Sequence, residues 1–476
     1  MEERYIASID LGTSKFGLCV ARVKGDDVQI VYYKETPSDG IRNSLVSNPL
    51  KASNVLRNAV KEAENELMIK ILQVVVGLPR FDVTQETASA KIERRDPEDF
   101  ISEEEVADLK ALALETYPLE DSTNNIMYGA VAQSFSDDEH IQLVESEVVG
   151  AISGWLEGTF KVFIGNRKAT TAVDKVFNTM DIAIAKKYFL PDVVAKAVLT
   201  EDEKQNGVAL VDIGAGVTSV SIYYGGIMRS YAAIPFGGKC VTGDIRSECS
   251  ISEPLAEKIK LRFGACLPAK LGTLSDKVLQ LRITEPVKEV SVKYISEIID
   301  ARSREILDAV LWYIQESGLQ NDLRSGIVLT GGGARLTNIV NLMKEMSGYE
   351  VRPGYPKHCF STSVNNVYEL SSTAAIGMIL AAKDDHLPDS ASHPLVAESA
   401  AEEEEKGQVE EILVIEEEPM DTLFKDEDLG PKEEKPKKKK KEPRKVKVKM
   451  KDGERKAPGK IIWNKLEELF NSISED

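Results

Sequence analysis

The sequence predicts an α/β protein whose nucleus is built twice, and three observations predict it. Strand patterns alternate with helical patterns up to about Lys383, the order expected of sheets flanked by helices. Two strand–turn–strand segments carry the same series, an Asp, one apolar residue and a glycine-bearing turn, at Asp10-Leu11-Gly12 and Asp212-Ile213-Gly214. A third strand, Ile327-Val328-Leu329-Thr330, runs straight into Gly331, Gly332 and Gly333.

Taken in order, Tyr5 to Ile9, Gly17 to Val23 and Val28 to Lys34 read as three successive strands joined by short turns. Lys51 to Met68 has helical spacing, with Val55, Ala59, Ala63 and Leu67 on one face. Leu72 to Val76 is a short β-branched run bounded by Gly77 and Pro79, which suits a buried strand. Between Phe81 and about Lys161 there is a helix pattern at Glu103 to Thr116 and a strand pattern at Ile141 to Val144. The second Asp-x-Gly turn then lies between a strand ending at Ile213 and another running through Tyr224.

Composition narrows the function. The 476 residues include 60 Lys and Arg against 78 Asp and Glu, a formal net charge of −18. Nucleic acid is thereby excluded as the general partner, because phosphate backbones require a basic footprint. The five cysteines form no C-x-x-C pair, so neither a disulfide framework nor a zinc site is expected and a reducing compartment fits. Met1-Glu2-Glu3-Arg4-Tyr5 is acidic and lacks the basic start of a signal peptide. The longest bland stretch, Ser371 to Ala382, is far shorter than the ~20 apolar residues of a membrane span. A cytosolic protein is the expectation.

From Asp384 the character changes. Glu398 to Asp428 is strongly acidic and Pro431 to Lys451 strongly basic. Neither block can bury enough apolar surface to offset chain entropy, so both are expected to be disordered. Lys460 to Ser474 then forms an amphipathic pattern, with Ile462, Leu466, Leu469, Phe470 and Ile473 on one helical face and Trp463 beside it. A short apolar face with aromatic residues on a flexible tether suits a membrane surface, and equally a helix docking on protein. The basic run could add about 1 kcal/mol per Lys held near anionic lipid, or be a solvated block neutralised by the acidic one.

The three turns carry the chemistry. A tight turn of Gly12, Thr13, Ser14 and Lys15 can aim backbone N–H groups at phosphate oxygens. Lys15 adds charge, and Asp10 at the strand end can hold a hydrated magnesium. Gly214, Gly216 and Val217 repeat the turn beside Asp212. The three glycines from Gly331 let backbone approach a flat ligand such as a nucleoside. Each turn alone could be purely structural; two alike at Asp10 and Asp212 suggest a duplication whose turns clasp one phosphate chain.

The ordered set IDLGTSK, VDIGAGVTSV and GIVLTGGGARLTNI resembles the phosphate-1, phosphate-2 and adenosine motifs of actin-like ATPases. Ala197 to Lys204, Ile234-Pro235-Phe236-Gly237-Gly238 with Val241 to Ile245, and Ala256 to Lys260 are similar to segments of the bacterial cell-division family FtsA. The resemblance covers roughly residues 4–383, and a closing amphipathic helix after a linker is also a trait of that family. It implies a two-lobed actin-like fold of duplicated RNase H-like lobes with an inserted small subdomain. The first lobe would be residues 1–80 and 162–206, interrupted by the insertion at 81–161. The second would have a core at 207–240 and 325–383, the latter returning to lobe 1, with a small subdomain at 241–324. A linker at 384–458 and a membrane-targeting helix at 459–476 would follow.

The resemblance further implies an ATP-binding, filament-forming adaptor on the inner face of the cytoplasmic membrane at the division site. It would tether the tubulin-like FtsZ and recruit later division proteins. Asp10 and Asp212 would position Mg²⁺ through water, and Gly12 to Lys15 with Gly214, Gly216 and Val217 would cradle phosphates. Glu257 and Lys260 would reach ribose and base, with Gly331, Gly332 and Gly333 behind the adenosine. Read on their own, Glu257 and Lys260 are an ordinary surface i, i+3 ion pair. Glu297 to Arg302 is similar to the segment that binds the acidic–apolar FtsZ C-terminal peptide, which makes Arg302 the candidate with Arg304 beside it; such arginines are otherwise simply solvated. The alternative is a soluble actin-like ATPase, related to Hsp70 or to pilus-assembly homologues, whose tail docks on protein.

The second turn departs from the pattern D-I-G-G-G-T-x-D. Ala215, Val217 and Ser219 replace a Gly, a Thr and an Asp, which removes a hydroxyl and a carboxylate from the phosphates. For orienting an attacking water, only Asp192 is on offer upstream. Since positioning that water is much of phosphoryl transfer, slow or absent hydrolysis is expected.

Overall fold

The computed structural model describes residues 3–140, 142–281 and 288–392, and the backbone of 429–431. Its hydrogen bonding builds one five-strand arrangement twice. Strands β1 (Arg4–Leu11), β2 (Lys15–Lys24) and β3 (Asp27–Pro37) form an antiparallel meander. Helix α1 (Pro49–Leu67) starts where the Asn48 side chain accepts from the Lys51 amide at 3.1 Å, an N-cap followed by Pro at the first helical position. Its buried stripe runs through Ala52, Leu56, Ala59, Val60 and Ala63. The expected Val55 and Leu67 lie at its margin, half-buried. The chain then returns as β4 (Gln73–Gly77), parallel to β1.

The insertion follows as β5 (Thr84–Glu93), α2 (Glu103–Thr116), β6 (Asn125–Ser136) and β7 (Trp155–Asn166), in the antiparallel order β5-β7-β6. A capping box between Ser102 and Glu105 starts α2. The insertion has its own core, including Leu109, Phe135, Leu156 and Phe160. Two expectations change here. Over the described residues 142–144 there is no strand: Leu143 alone bridges to Phe135, and Ile141 lies outside the described residues. The cause is local, since the Asp137 carboxylate accepts from the Glu139 and His140 amides at 2.9 and 2.6 Å and turns the chain. The closing strand β7 continues beyond residue 161 to Asn166, because Val162, Phe163 and Ile164 are still buried.

Helix α3 (Arg167–Asn178) and strand β8 (Ala183–Tyr188) complete the first sheet, in the order β3-β2-β1-β4-β8. Helix α4 (Leu190–Val198) leads to the second lobe, where β9 (Val208–Ile213), β10 (Thr218–Tyr224) and β11 (Ile227–Ile234) form the second meander. The small subdomain opens with α5 (Gly238–Cys249), a few residues before the expected 241, and holds α6 (Glu253–Phe263), β12 (Lys277–Leu281), β13 (Lys288–Ser291) and the long α7 (Val292–Glu316). After it β14 (Ile327–Thr330) pairs parallel with β9, α8 (Ile339–Ser347) follows, and β15 (Val351–Pro353) pairs with β14. The second sheet therefore runs β11-β10-β9-β14-β15, strand for strand the order of the first.

Segments from each half close the other's sheet. The outer edge of β3 pairs with β16 (Ser361–Thr362), which belongs to the returning chain. The outer edge of β11 meets the insertion: Gln85 accepts from the Tyr231 amide at 3.0 Å, Gln133 donates to the Met228 carbonyl at 2.9 Å, and Lys161 donates to the Arg229 carbonyl at 2.7 Å. Helix α9 (Thr373–Asp384) lies between the lobes and is buried from Thr373 to Ala382, which explains its lack of a polar face. Gly377 lets it approach the Val193 carbonyl of α4, and the Ser8 hydroxyl of β1 donates to the Ala375 carbonyl at 2.8 Å.

Beyond the expected boundary at 383, Ala391 and Ser392 pair with Ile71 and Lys70. Within the expected linker, β17 (Leu429–Pro431) pairs antiparallel with β12. The remainder of the charged linker and the expected amphipathic helix, with Ile462, Trp463, Leu466, Leu469, Phe470 and Ile473, lie outside the described residues.

Candidate nucleotide site

In each sheet the central parallel pair ends at the same place. The carboxyl ends of β1 and β4 face those of β9 and β14 across a cleft of about 1210 Å³. Carboxyl ends of parallel strands are where α/β sheets bind ligands, because loops diverge there. Both meanders turn with the same register: Leu11 opposes Phe16 around residues 12–15, and Ile213 opposes Thr218 around residues 214–217.

The two turns touch. A β-carbon on Gly216 would stand 2.8 Å from the Thr13 hydroxyl, so only glycine allows this approach. Thr13 accepts from the Ser44 amide at 2.9 Å, and the Gly214 amide closes its own turn on the Val217 carbonyl at 2.9 Å. The wall beyond β14 begins at Gly331, whose φ of +84° disfavours other residues. A β-carbon there would collide with the Asp212 carboxylate, so that carboxylate lies directly over the glycine.

Every expected site residue of the nucleotide set lines this cleft: Asp10, Gly12 to Lys15, Asp212, Gly214, Gly216, Val217, Glu257, Lys260 and Gly331 to Gly333. Glu257 and Lys260 do pair, at 2.7 Å, but the pair is not a solvated surface bridge. Lys260 is largely buried and donates to the Gly238 carbonyl at 3.0 Å and the Thr242 hydroxyl at 2.8 Å, while Thr242 also bonds Glu257. The pair thus ties α6 to the start of α5, on the cleft side.

Three participants escaped the sequence reading. Glu35, at the end of β3, pairs with Lys15 and accepts from Tyr33 at 2.9 Å and Ser371 at 2.7 Å. Burial would raise its carboxyl, but the hydrogen bond and charge of Lys15, with those two hydroxyls, outweigh it and hold the group below the usual 4.5. Ser371 is the second, joining the returning chain to lobe 1 through that contact. The third is Arg80, just beyond β4, whose guanidinium stands between the two aspartates. It pairs with Asp212 and lies 3.5 Å from Asp10. Burial alone would depress the guanidinium; the Asp212 and Asp10 charges reverse that and raise it. Asp10 itself is raised by burial, which outweighs Arg80. The only local hint was an Arg immediately after Gly77-Leu78-Pro79, too common a feature to single out.

Seven Lys and Arg side chains against five carboxylates line the cleft, in a chain with 60 basic and 78 acidic residues. Such a reversal of local charge favours an anionic ligand. Asp192, by contrast, sits exposed in the first turn of α4 and does not line the cleft.

Arg302 and Arg304 are on α7. Arg302 grips Asp244 of α5 through two nitrogens at 2.5 and 3.0 Å and reaches Glu305 at 2.6 Å. Arg304 pairs with Asp300 at 2.7 Å. Both are therefore matched by carboxylates rather than simply solvated. Among the described residues no helix is long and apolar enough to cross a membrane.

Comparison with known proteins agrees with this arrangement. Residues 209–377 match the family model described as Cell division protein FtsA. The chain is 30% identical to Cell division protein FtsA of Neisseria meningitidis serogroup B over 80% of this chain and 91% of that protein. It is 28% identical to the protein of the same name from Borreliella burgdorferi, over 80% of this chain and 91% of that one. Among solved structures, the PilM–PilN type IV pilus biogenesis complex is similar with a TM-score of 0.57 at 15% identity, covering 79% of this chain and 98% of that one. At that identity the likeness speaks to the actin-like fold alone.

Proposed function

The chain belongs to the FtsA family of cell-division proteins, and from that premise we propose that it is an ATP-binding adaptor that polymerises on the inner face of the cytoplasmic membrane at the division site. In this reading it anchors FtsZ there and helps recruit later division proteins. The observation that carries the nucleotide half is the pair of turns in equal register, one from each lobe, touching at Gly216 and Thr13 in a basic-walled cleft.

ATP fits those residues. Backbone amides of Gly12 to Lys15 and of Gly214 to Val217 would bracket the phosphates, with Lys15 supplying charge. Glu257 and Lys260 would meet ribose and base, and Gly331 to Gly333 would back the adenosine. Magnesium is implied by the family at Asp10 and Asp212, but the Arg80 guanidinium stands between these two carboxylates, so they do not form an open cation site. Hydrolysis would be slow: Val217 and Ser219 offer the phosphates no second hydroxyl–carboxylate pair, and Asp192 is outside the cleft. Bound ATP would then act mainly by holding the lobes together, through ordinary linkage of ligand to the closed form.

The membrane half rests on the sequence of residues 459–476 and on the family. One short helix binds weakly, and several on one filament bind through high effective concentration. Co-sedimentation with anionic liposomes in ATP, comparing the full chain with one ending at Gly459, tests it. Pelleting of the full chain only is expected; if both stay in solution, the tail docks on protein instead. For FtsZ, an acidic peptide would exchange for the carboxylates now held by Arg302 and Arg304. Arg302→Glu should weaken binding of the FtsZ C-terminal peptide about tenfold or more in a fluorescence-anisotropy titration, since it replaces a charge-assisted contact by repulsion.

A further inference from the structure

Arg80 has no part in the scheme the motifs imply, yet it bridges the aspartates of the two lobes within the cleft. Its guanidinium pairs with Asp212 of lobe 2 and lies 3.5 Å from Asp10 of lobe 1, and its side chain is 12% exposed. It also lines the cavity together with Lys15 and both phosphate turns. Its backbone is fixed as well, since the Tyr231 hydroxyl of β11 donates to the Arg80 carbonyl at 2.6 Å. A planar guanidinium carries five N–H donors in a fixed fork. Two carboxylates use part of that fork, and the rest can address an anion in the same cleft.

We propose that Arg80 is the resident cation of this nucleotide site: it bridges Asp10 and Asp212, offsets one of their two negative charges and donates to the phosphate chain, so that nucleotide binding persists without a divalent ion. The proposal rests on the reading of the cleft as an ATP site. Two buried carboxylates facing a polyphosphate would repel it unless a cation stood between them. Arg80 supplies that charge from the chain itself, and it stays protonated because the same carboxylates stabilise its charged form. Lys15 adds charge at the first turn, but it is paired with Glu35 and does not bridge the two aspartates.

The test is titration of the full chain with a fluorescent ATP analogue, once in excess magnesium and once in excess EDTA. The unaltered chain should bind with affinities within about threefold of each other in the two buffers. Arg80→Gln should lose about tenfold or more in EDTA, one charge-assisted contact's worth, and less in magnesium. Arg80→Lys should recover part of the EDTA affinity. Loss of about tenfold or more in EDTA by the unaltered chain overturns the proposal, and this comparison of one protein in two buffers stands even if a variant fails to fold. Tighter binding by Arg80→Gln in both buffers overturns it too, by making Arg80 an obstruction. No binding by the unaltered chain in either buffer overturns the ATP reading itself, and this inference with it.

Discussion

The turns at residues 12–15 and 214–217 share length, register and a preceding aspartate, but not their contents. The first offers side chains as well as amides: Thr13, Ser14 and Lys15, with Lys15 held by Glu35. The second offers Ala215, Gly216 and Val217, hence backbone alone. Duplication thus preserved the scaffold while the chemistry became one-sided. The second turn serves as a close-fitting wall, and the first, with Arg80 from the same lobe, carries the charge.

Substitutions at the shared scaffold should have the largest effect and should be equal in both lobes. Ala at Gly12 would drive its β-carbon into the Lys15 carbonyl, and at Gly214 would place it 2.7 Å from the Val217 carbonyl. Each should cost about 1–3 kcal/mol, read as a lowered denaturant midpoint; a clear difference between them would break the equivalence. Next comes the asymmetry of charge. Lys15→Ala should weaken ATP about ten- to hundredfold, the value of a hydrogen bond to a charged group. Val217→Ala should change affinity less than about twofold, because only its amide would face the phosphates in this reading. Calorimetric titration of both would decide.

The smallest effect concerns acid. The Glu35 carboxyl is held below its usual 4.5, so its contribution to stability is fully present above that value and is lost as pH falls through the lower folded-state value. The stability difference between the unaltered chain and Glu35→Gln should therefore be constant near neutrality and shrink below about pH 4.5. Unfolding curves across that range would show it, and a difference that grows in acid would contradict the assignment.

What the sequence made legible follows from how local each signal is. The Asp-x-Gly turns and the Gly331 run are local, since glycine is dictated by backbone approach at the residue itself, and they located the cleft. The helix at Pro49–Leu67 was legible in extent, but its buried stripe turned about Leu56 and Val60 rather than Val55 and Leu67. A small difference in docking angle does that, and no periodicity records it. Arg80 and Glu35 were invisible for a different reason. Each acquires meaning only from partners distant in sequence, Asp212 for one and Ser371 for the other. Residues 142–144 show the converse, a strand pattern overruled by one nearby Asp turn.

The reciprocal closure of the two sheets bears on how such a chain survives at high local density. An uncovered strand edge recruits strands from other molecules and is a standard route to aggregation. Here the edge of β3 is occupied by Ser361–Thr362, and that of β11 by Gln85, Gln133 and Lys161, each supplied from the opposite half. Further strand pairing at these two edges is thereby impeded. The same arrangement makes spreading of the halves and unmasking of sticky edges a single event. A ligand that keeps the halves together would then protect the chain from its neighbours as well as organise it.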